Sequence, residues 1–147
     1  APTGNHSQSG IVLMWAGCPI LWKSSRQSMV AQSTAEAELI ALASNLNISL
    51  GLSNVLHSVN VFIPPLKLLC DNKAAIANSD EGSSWRSRHY LIRAAALREA
   101  RVKGLCHVHY VCSADQLADF LTKYLPAVPF ARARTLCGLV SRSRIIS

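Results

Sequence analysis

The strongest recurrence of apolar positions along the chain begins at Ser33. Leu39, Leu42, Leu46 and Leu50 follow at helical spacing and define one buried stripe. Ser33 is a favoured N-cap, Glu36 stands three residues on as in a capping box, and the Ala and Leu residues that follow favour helix. Gly51 falls inside the pattern, and Leu52, Val55 and Leu56 drift off the stripe, which predicts a kink or break near Gly51. Upstream, residues 10–16 and 19–23 are apolar and partly β-branched or aromatic; with Gly17-Cys18 between them they read as a hairpin, with Trp15 and Trp22 as core or cross-strand residues. Residues 1–9 are a connection by composition.

Downstream, Pro64-Pro65 closes the helical region and residues 66–70 form a short apolar strand. Residues 72–77 look like the first turns of a second helix, which leaves Asp71 at a strand-to-helix junction, either as that helix's N-cap or as a functional group. A polar loop at 78–84 precedes a basic third helix at about 90–102. Residues 105–111 alternate as a strand, with His107 and His109 on one face; no further zinc ligand stands at finger-like spacing. A short helix is expected from Ser113 to about Lys123, with Asp115 and Asp119 on one face. The elements make an α/β domain in which the strands at 11–16, 20–23, 66–70 and 105–111 share one mixed sheet flanked by helices. The domain spans residues 1–125, and residues 126–147 form a basic extension.

Composition narrows the partners. Half of the 147 residues are apolar, enough for one domain with a core, and the net charge of +7 favours a polyanion. The five cysteines form no C-x-x-C pair and are read as reduced and buried. No continuous apolar run reaches transmembrane length and the first ten residues carry no signal-peptide core, so the expectation is a soluble intracellular protein, cytoplasmic or nuclear, neither secreted nor membrane-bound. Trp85, Arg86, Arg88 and His89 interleave bases with aromatic rings, a composition suited to phosphate contact and base stacking, although a solvated basic helix gives the same pattern.

Only eight acidic residues are present, so each can be weighed singly. Asp80 and Glu81 fall in a polar loop and Glu99 on a basic helix, which leaves a helix glutamate, the strand-end Asp71 and the late Asp119. Glu36 and Glu38 lie about 200° apart around the helix, each flanking the apolar stripe, and periodicity does not choose between them. Carboxylates gathered from separate elements suit Mg²⁺ or Mn²⁺, and in a basic protein the matching substrate is a phosphodiester.

Several segments occur in a telling order: Ser-x-Ser-Gly-Ile-Val before the hairpin, Trp22-Lys23-Ser24-Ser25-Arg26-Gln27-Ser28, Gln32-Ser33-Thr34-Ala35-Glu36-Ala37-Glu38-Leu39, Cys70-Asp71-Asn72-Lys73-Ala74-Ala75-Ile76, Ser87-Arg88-His89 and Gln116-Leu117-Ala118-Asp119-Phe120-Leu121-Thr122-Lys123. Together they resemble the ribonuclease H domain at the end of the polyprotein of copia-type LTR retrotransposons, over nearly the whole chain. The resemblance implies a mixed five-stranded sheet with helices, cleavage of the RNA strand of an RNA–DNA hybrid, two Mg²⁺ or Mn²⁺ ions, and association with the reverse transcriptase portion of the same polyprotein. It places catalytic and metal-binding roles on Glu38, Asp71 and Asp119, with Glu36 and Asp115 as second choices. It also implies a first-strand Asp between the hairpin and the strand ending at Asp71, yet no acidic residue precedes Glu36. The expectation is therefore a ribonuclease H-like fold lacking its first strand: either an enzyme short of one carboxylate, which taken alone binds metal weakly and cleaves poorly or not at all, or a remnant that binds nucleic acid without cutting it.

Overall fold

A computed structural model describes residues 6–81 and 88–139. The hairpin pairs β1 (Gln8–Trp15) with β2 (Cys18–Arg26) antiparallel, in a register that sets Gly10 opposite Ser24 and Ile11 opposite Lys23. Its turn is Ala16-Gly17, one residue earlier than expected, with φ of 49° and 78°. Two successive positive φ values give the chain a reversal that suits the twist of the flanking strands. Ser9 and Ile11 are buried against the long helix, and on the opposite face residues 118–122 cover Gly10 and Ser24, which leaves Trp22 and the turn end of the hairpin open. Trp15 and Trp22 are consequently 37% and 65% exposed, and neither is a core residue.

The long helix α1 (Thr34–Ser58) starts where its capping signal stands: Ser33 Oγ accepts from Glu36 N at 3.2 Å, and Gln32 N donates to Glu36 Oε2 at 2.6 Å. It runs unbroken through Gly51, contrary to the expected kink. Gly51 is exposed with nothing within 4 Å of where a side chain would begin, so no neighbour wedges the helix open, and one glycine costs only about 1 kcal/mol relative to alanine. By length and composition α1 is apolar enough to cross a membrane, a property that a search for continuous apolar runs overlooks. Here Leu39, Leu42 and Leu46 are buried in the core with Leu68, Leu97 and Cys106.

The second half contains β3 (Leu66–Cys70), α2 (Lys73–Glu81), α3 (Arg88–Val102), β4 (Cys106–Tyr110) and α4 (Ala127–Leu136). β3 and β4 pair in parallel from Leu66 opposite Cys106 to Cys70 opposite Tyr110. His107 and His109 share an exposed face as the alternation required. The residues from Ser113 onward do not form one helix. Two 3₁₀ turns, Ser113–Asp115 and Leu117–Leu121, are separated at Gln116, whose ψ of 101° is extended, so Asp115 and Asp119 share no helical face. Asp80 belongs to α2 rather than to a loop and is ion-paired with Arg101 of α3. All five cysteines are free, and Cys18 and Cys112 are exposed rather than buried. The segment after residue 125 includes α4, which buries Ala133 and packs on the second 3₁₀ turn.

The architecture is α/β, with four helices and two two-stranded sheets among the described residues. The single sheet expected from the sequence is not formed: β1 and β3 do not pair with each other and border an open cleft of about 1330 Å³. Among the described residues no strand lies between them, so their backbones have nothing to bridge the gap. Ala41, Leu42 and Asn45 of α1 line one side of this cleft and Leu117 and Asp119 of the second 3₁₀ turn also border it.

Candidate functional site

Glu38 comes from the second turn of α1, Cys70 from the last position of β3 and Asp71 from the residue after it. One ligand atom from each, two carboxylate oxygens and the thiol sulfur, all lie within 4.8 Å of one another. Asp71 is not the cap of α2. That role belongs to Asn72, whose Oδ1 accepts from Ala75 N at 3.0 Å, which leaves Asp71 to accept a hydrogen bond from Ser113 Oγ at 2.9 Å. Burial pushes the Glu38 carboxyl above the usual range, the Asp71 charge raises it further, Lys123 opposes the rise and Asp119 adds to it. Cys70 is pushed up to about 11, chiefly by burial, and stays a thiol.

Asp119 lies outside the tight group but borders the same cleft as Glu38 and Asp71, close enough to act on the Glu38 charge. Lys123 Nζ holds its Oδ2 at 3.1 Å. The second choices are placed elsewhere. Glu36 is engaged in the N-cap, and Asp115 pairs with Arg132 of α4 and accepts from Cys112 Sγ at 3.0 Å. The ambiguity that helical periodicity left between Glu36 and Glu38 thus has a local answer, because only Glu38 projects to the cleft.

Arg88 and His89 are exposed at the start of α3 and do not line the cleft; Trp85 and Arg86 lie outside the described residues. Sequence reasoning passed over Ser113, Lys123 and Gln27. Lys123 stands four residues after Asp119, a spacing that could have suggested the pair, whereas Ser113 and Asp71 are 42 residues apart and carried no local signal. Gln27 Nε2 donates to Ser9 Oγ at 2.8 Å and to Ala37 O at 2.9 Å, tying the start of β1 to the first turns of α1.

The raised Glu38 carboxyl gives a directional test. A carboxyl whose folded pKa exceeds its unfolded one stabilises the fold while protonated, and that contribution is lost as pH rises through the folded value. In metal-free buffer at neutral pH, Glu38→Gln is therefore expected to melt higher than the parent, with the gap closing as pH falls into the carboxylate range. A lower melting temperature for the variant at neutral pH would show that Glu38 is well paired in the folded chain.

No family model matches the chain and no solved structure matches it. Over 126 residues it is 30% identical to the Gag-Pol polyprotein of transposon Ty1-DR5 of Saccharomyces cerevisiae, covering 84% of this chain and 7% of the polyprotein. Over 136 residues it is 29% identical to the retrovirus-related Pol polyprotein from transposon TNT 1-94 of Nicotiana tabacum, covering 92% of this chain and 10% of that one. The chain is a relative of one segment of retrotransposon Pol polyproteins and spans a tenth or less of the length of these relatives.

Proposed function

We propose that the chain is the ribonuclease H-like segment of a copia-type retrotransposon Pol polyprotein, cleaving the RNA strand of RNA–DNA hybrids during reverse transcription. The observation that carries this reading is the convergence of Glu38, Asp71 and Asp119, from three separate elements, on one cleft of a basic chain related to Pol polyproteins. The donor set fits a hard divalent cation: one carboxylate oxygen of Glu38 and one of Asp71 lie within 4.8 Å of each other, and the Glu38 carboxyl is raised first by burial and then by the Asp71 charge, with Lys123 opposing. Glu38, Asp71 and Asp119 would hold Mg²⁺ or Mn²⁺, two ions in the complete arrangement. When bound, such ions supply Lewis acidity that favours hydroxide over water and neutralises charge on the phosphodiester.

The chain's own residues set the conditions for this. Ser113 fixes the Asp71 carboxylate by donating to it, and Lys123 holds Asp119. Arg88 and His89, with Trp85 and Arg86, would contact the phosphates and bases of the hybrid. The reverse transcriptase portion of the same polyprotein would be the covalent neighbour, and the setting intracellular, cytoplasmic or nuclear.

A second reading, a remnant that binds the hybrid without cutting it, draws on the charge pattern: among the described residues no fourth carboxylate joins the group, and Asp119 is already ion-paired. A labelled RNA–DNA hybrid, incubated with the chain in Mg²⁺ or Mn²⁺ and again with chelator, tests both. Weak, chelator-sensitive loss of the RNA strand alone is the outcome the first reading expects of this chain, which lacks one carboxylate of the family's set. Salt-sensitive binding with no cleavage in either metal would select the remnant, and neither binding nor cleavage would dismiss both.

A further inference from the structure

The proposed chemistry uses two members of the tight group and leaves the third, Cys70, without a part. Cys70 ends β3, is 1% exposed and belongs to the core with Leu68 and Ala75. Its sulfur nevertheless stands within 4.8 Å of a carboxylate oxygen of Glu38 and of one of Asp71. A cysteine with only apolar surroundings is inert packing, whereas one that faces two carboxylates adds a third ligand atom to the same group. Asn72 N donates to the sulfur at 3.4 Å, while the thiol's own donation, to Asn72 O, is long at 3.7 Å. An N–H aimed at sulfur favours the thiolate, which is the form that binds metal.

The donor types set the ion. Mg²⁺ and Mn²⁺ are satisfied by oxygen and gain little from sulfur, whereas a thiolate selects softer ions of the zinc class. One sulfur, two carboxylate oxygens and a water make the four-coordinate shell that such ions favour. With metal bonds of about 2.3 Å to sulfur and about 2.1 Å to oxygen, neighbouring ligand atoms on that shell lie roughly 3.5 Å apart. The group, at 4.8 Å or less, therefore contracts by about 1.3 Å at most, a movement within reach of the flexible Glu38 side chain. Among the described residues Cys70 is the one cysteine in the group; Cys18 and Cys112 are exposed elsewhere.

We infer that Glu38, Cys70 and Asp71 form a site for a thiophilic divalent cation of the zinc class, which closes the group to Mg²⁺ and Mn²⁺ while it is bound. On binding, the sulfur lone pair makes the bond to the metal and the thiol proton passes to solvent. The competition rests on the proposed function, with which the site shares Glu38 and Asp71; the sulfur ligand is tested apart from it. The probe is Cd²⁺, a soft stand-in for zinc whose ultraviolet charge-transfer band reports bound sulfur. The full chain, with the exposed Cys18 and Cys112 changed to serine, is titrated with Cd²⁺, with Mn²⁺, and with Cd²⁺ after Mn²⁺. A band that saturates at one Cd²⁺ per chain is expected, and Cd²⁺ is expected to displace Mn²⁺. Cys70→Ser is expected to lose the band and to lower the ratio of Cd²⁺ to Mn²⁺ affinity at least about 100-fold. Should that variant fail to fold, Glu38→Gln decides: it keeps the sulfur but loses an oxygen ligand, and its band is expected to need at least about tenfold more Cd²⁺. No band from the parent chain, a band that survives Cys70→Ser, or Mn²⁺ and Cd²⁺ bound together would each overturn the inference. Mn²⁺ uptake with no cadmium band would do so while leaving the proposed function standing, and a cadmium band on a chain that takes up no Mn²⁺ would support the sulfur site while telling against that function.

Discussion

Asp71→Asn is expected to weaken Mn²⁺ binding at least about 100-fold and to abolish whatever hybrid cleavage the chain performs, while its melting curve stays close to that of the parent. Asp71 is one of the two carboxylates in the tight group and the only one of the eight acidic residues that follows a parallel strand. Amide for carboxylate preserves shape and the hydrogen bond from Ser113, but removes the charge a cation needs. Burial does most to raise the Glu38 carboxyl, and the variant relieves the Asp71 repulsion that adds to it, so it loses binding without losing stability. Titration calorimetry with Mn²⁺ and a hybrid-cleavage assay should be run beside Glu36→Gln, whose carboxylate serves the N-cap and which should leave binding unchanged. Equal Mn²⁺ affinity for Asp71→Asn and the parent would move the metal elsewhere.

Gly10→Val is expected to destabilise the chain by about 1–3 kcal/mol and to weaken metal binding at a site it does not touch. A Cβ at Gly10 would stand 2.6 Å from Ala118 O and 2.8 Å from Thr122 Cγ2. The first of these is backbone and yields only if the whole 3₁₀ turn Leu117–Leu121 backs away, and Asp119 sits on that turn. Gly51→Ala is the matched control: nothing lies within 4 Å, and the change is expected to stabilise α1 by up to about 1 kcal/mol. Urea denaturation and Mn²⁺ titration on both variants separate the two effects. Parental stability for Gly10→Val would mean that the hairpin and the turn do not pack as described.

Local signals in the sequence carried much of this. The Ser33 cap, the 3.6-residue stripe of α1 and the alternation of β4 were each legible because their causes lie within a few residues. The assembly was not. That β1 and β3 remain apart depends on what lies between them, and no property of either strand announces it. The hairpin tryptophans misled because aromatic residues in strands read as buried, yet only one face of a two-stranded ribbon meets α1. For the candidate site, the resemblance carried by the ordered segments pointed to Glu38, Asp71 and Asp119, and the Lys123 partner of Asp119 is local, whereas the partner of Asp71 is tertiary: Ser113 reaches it across 42 residues. The single helix expected after Ser113 failed at Gln116, whose extended backbone no propensity scale marks strongly.

The cap of α2 has a consequence for how such chains age. Asn72 secures the helix, and Asp71, its neighbour, is left out of that bond. Under the proposed function, helix capping and metal binding would fall on adjacent but different residues, and selection could relax on one without touching the other. A copy that had drifted at Asp71 would keep α2, keep its core and resist proteolysis as well as an intact one. Persistence of the fold in a population of element copies would then record the age of the insertion poorly, and the state of one side chain would record it better.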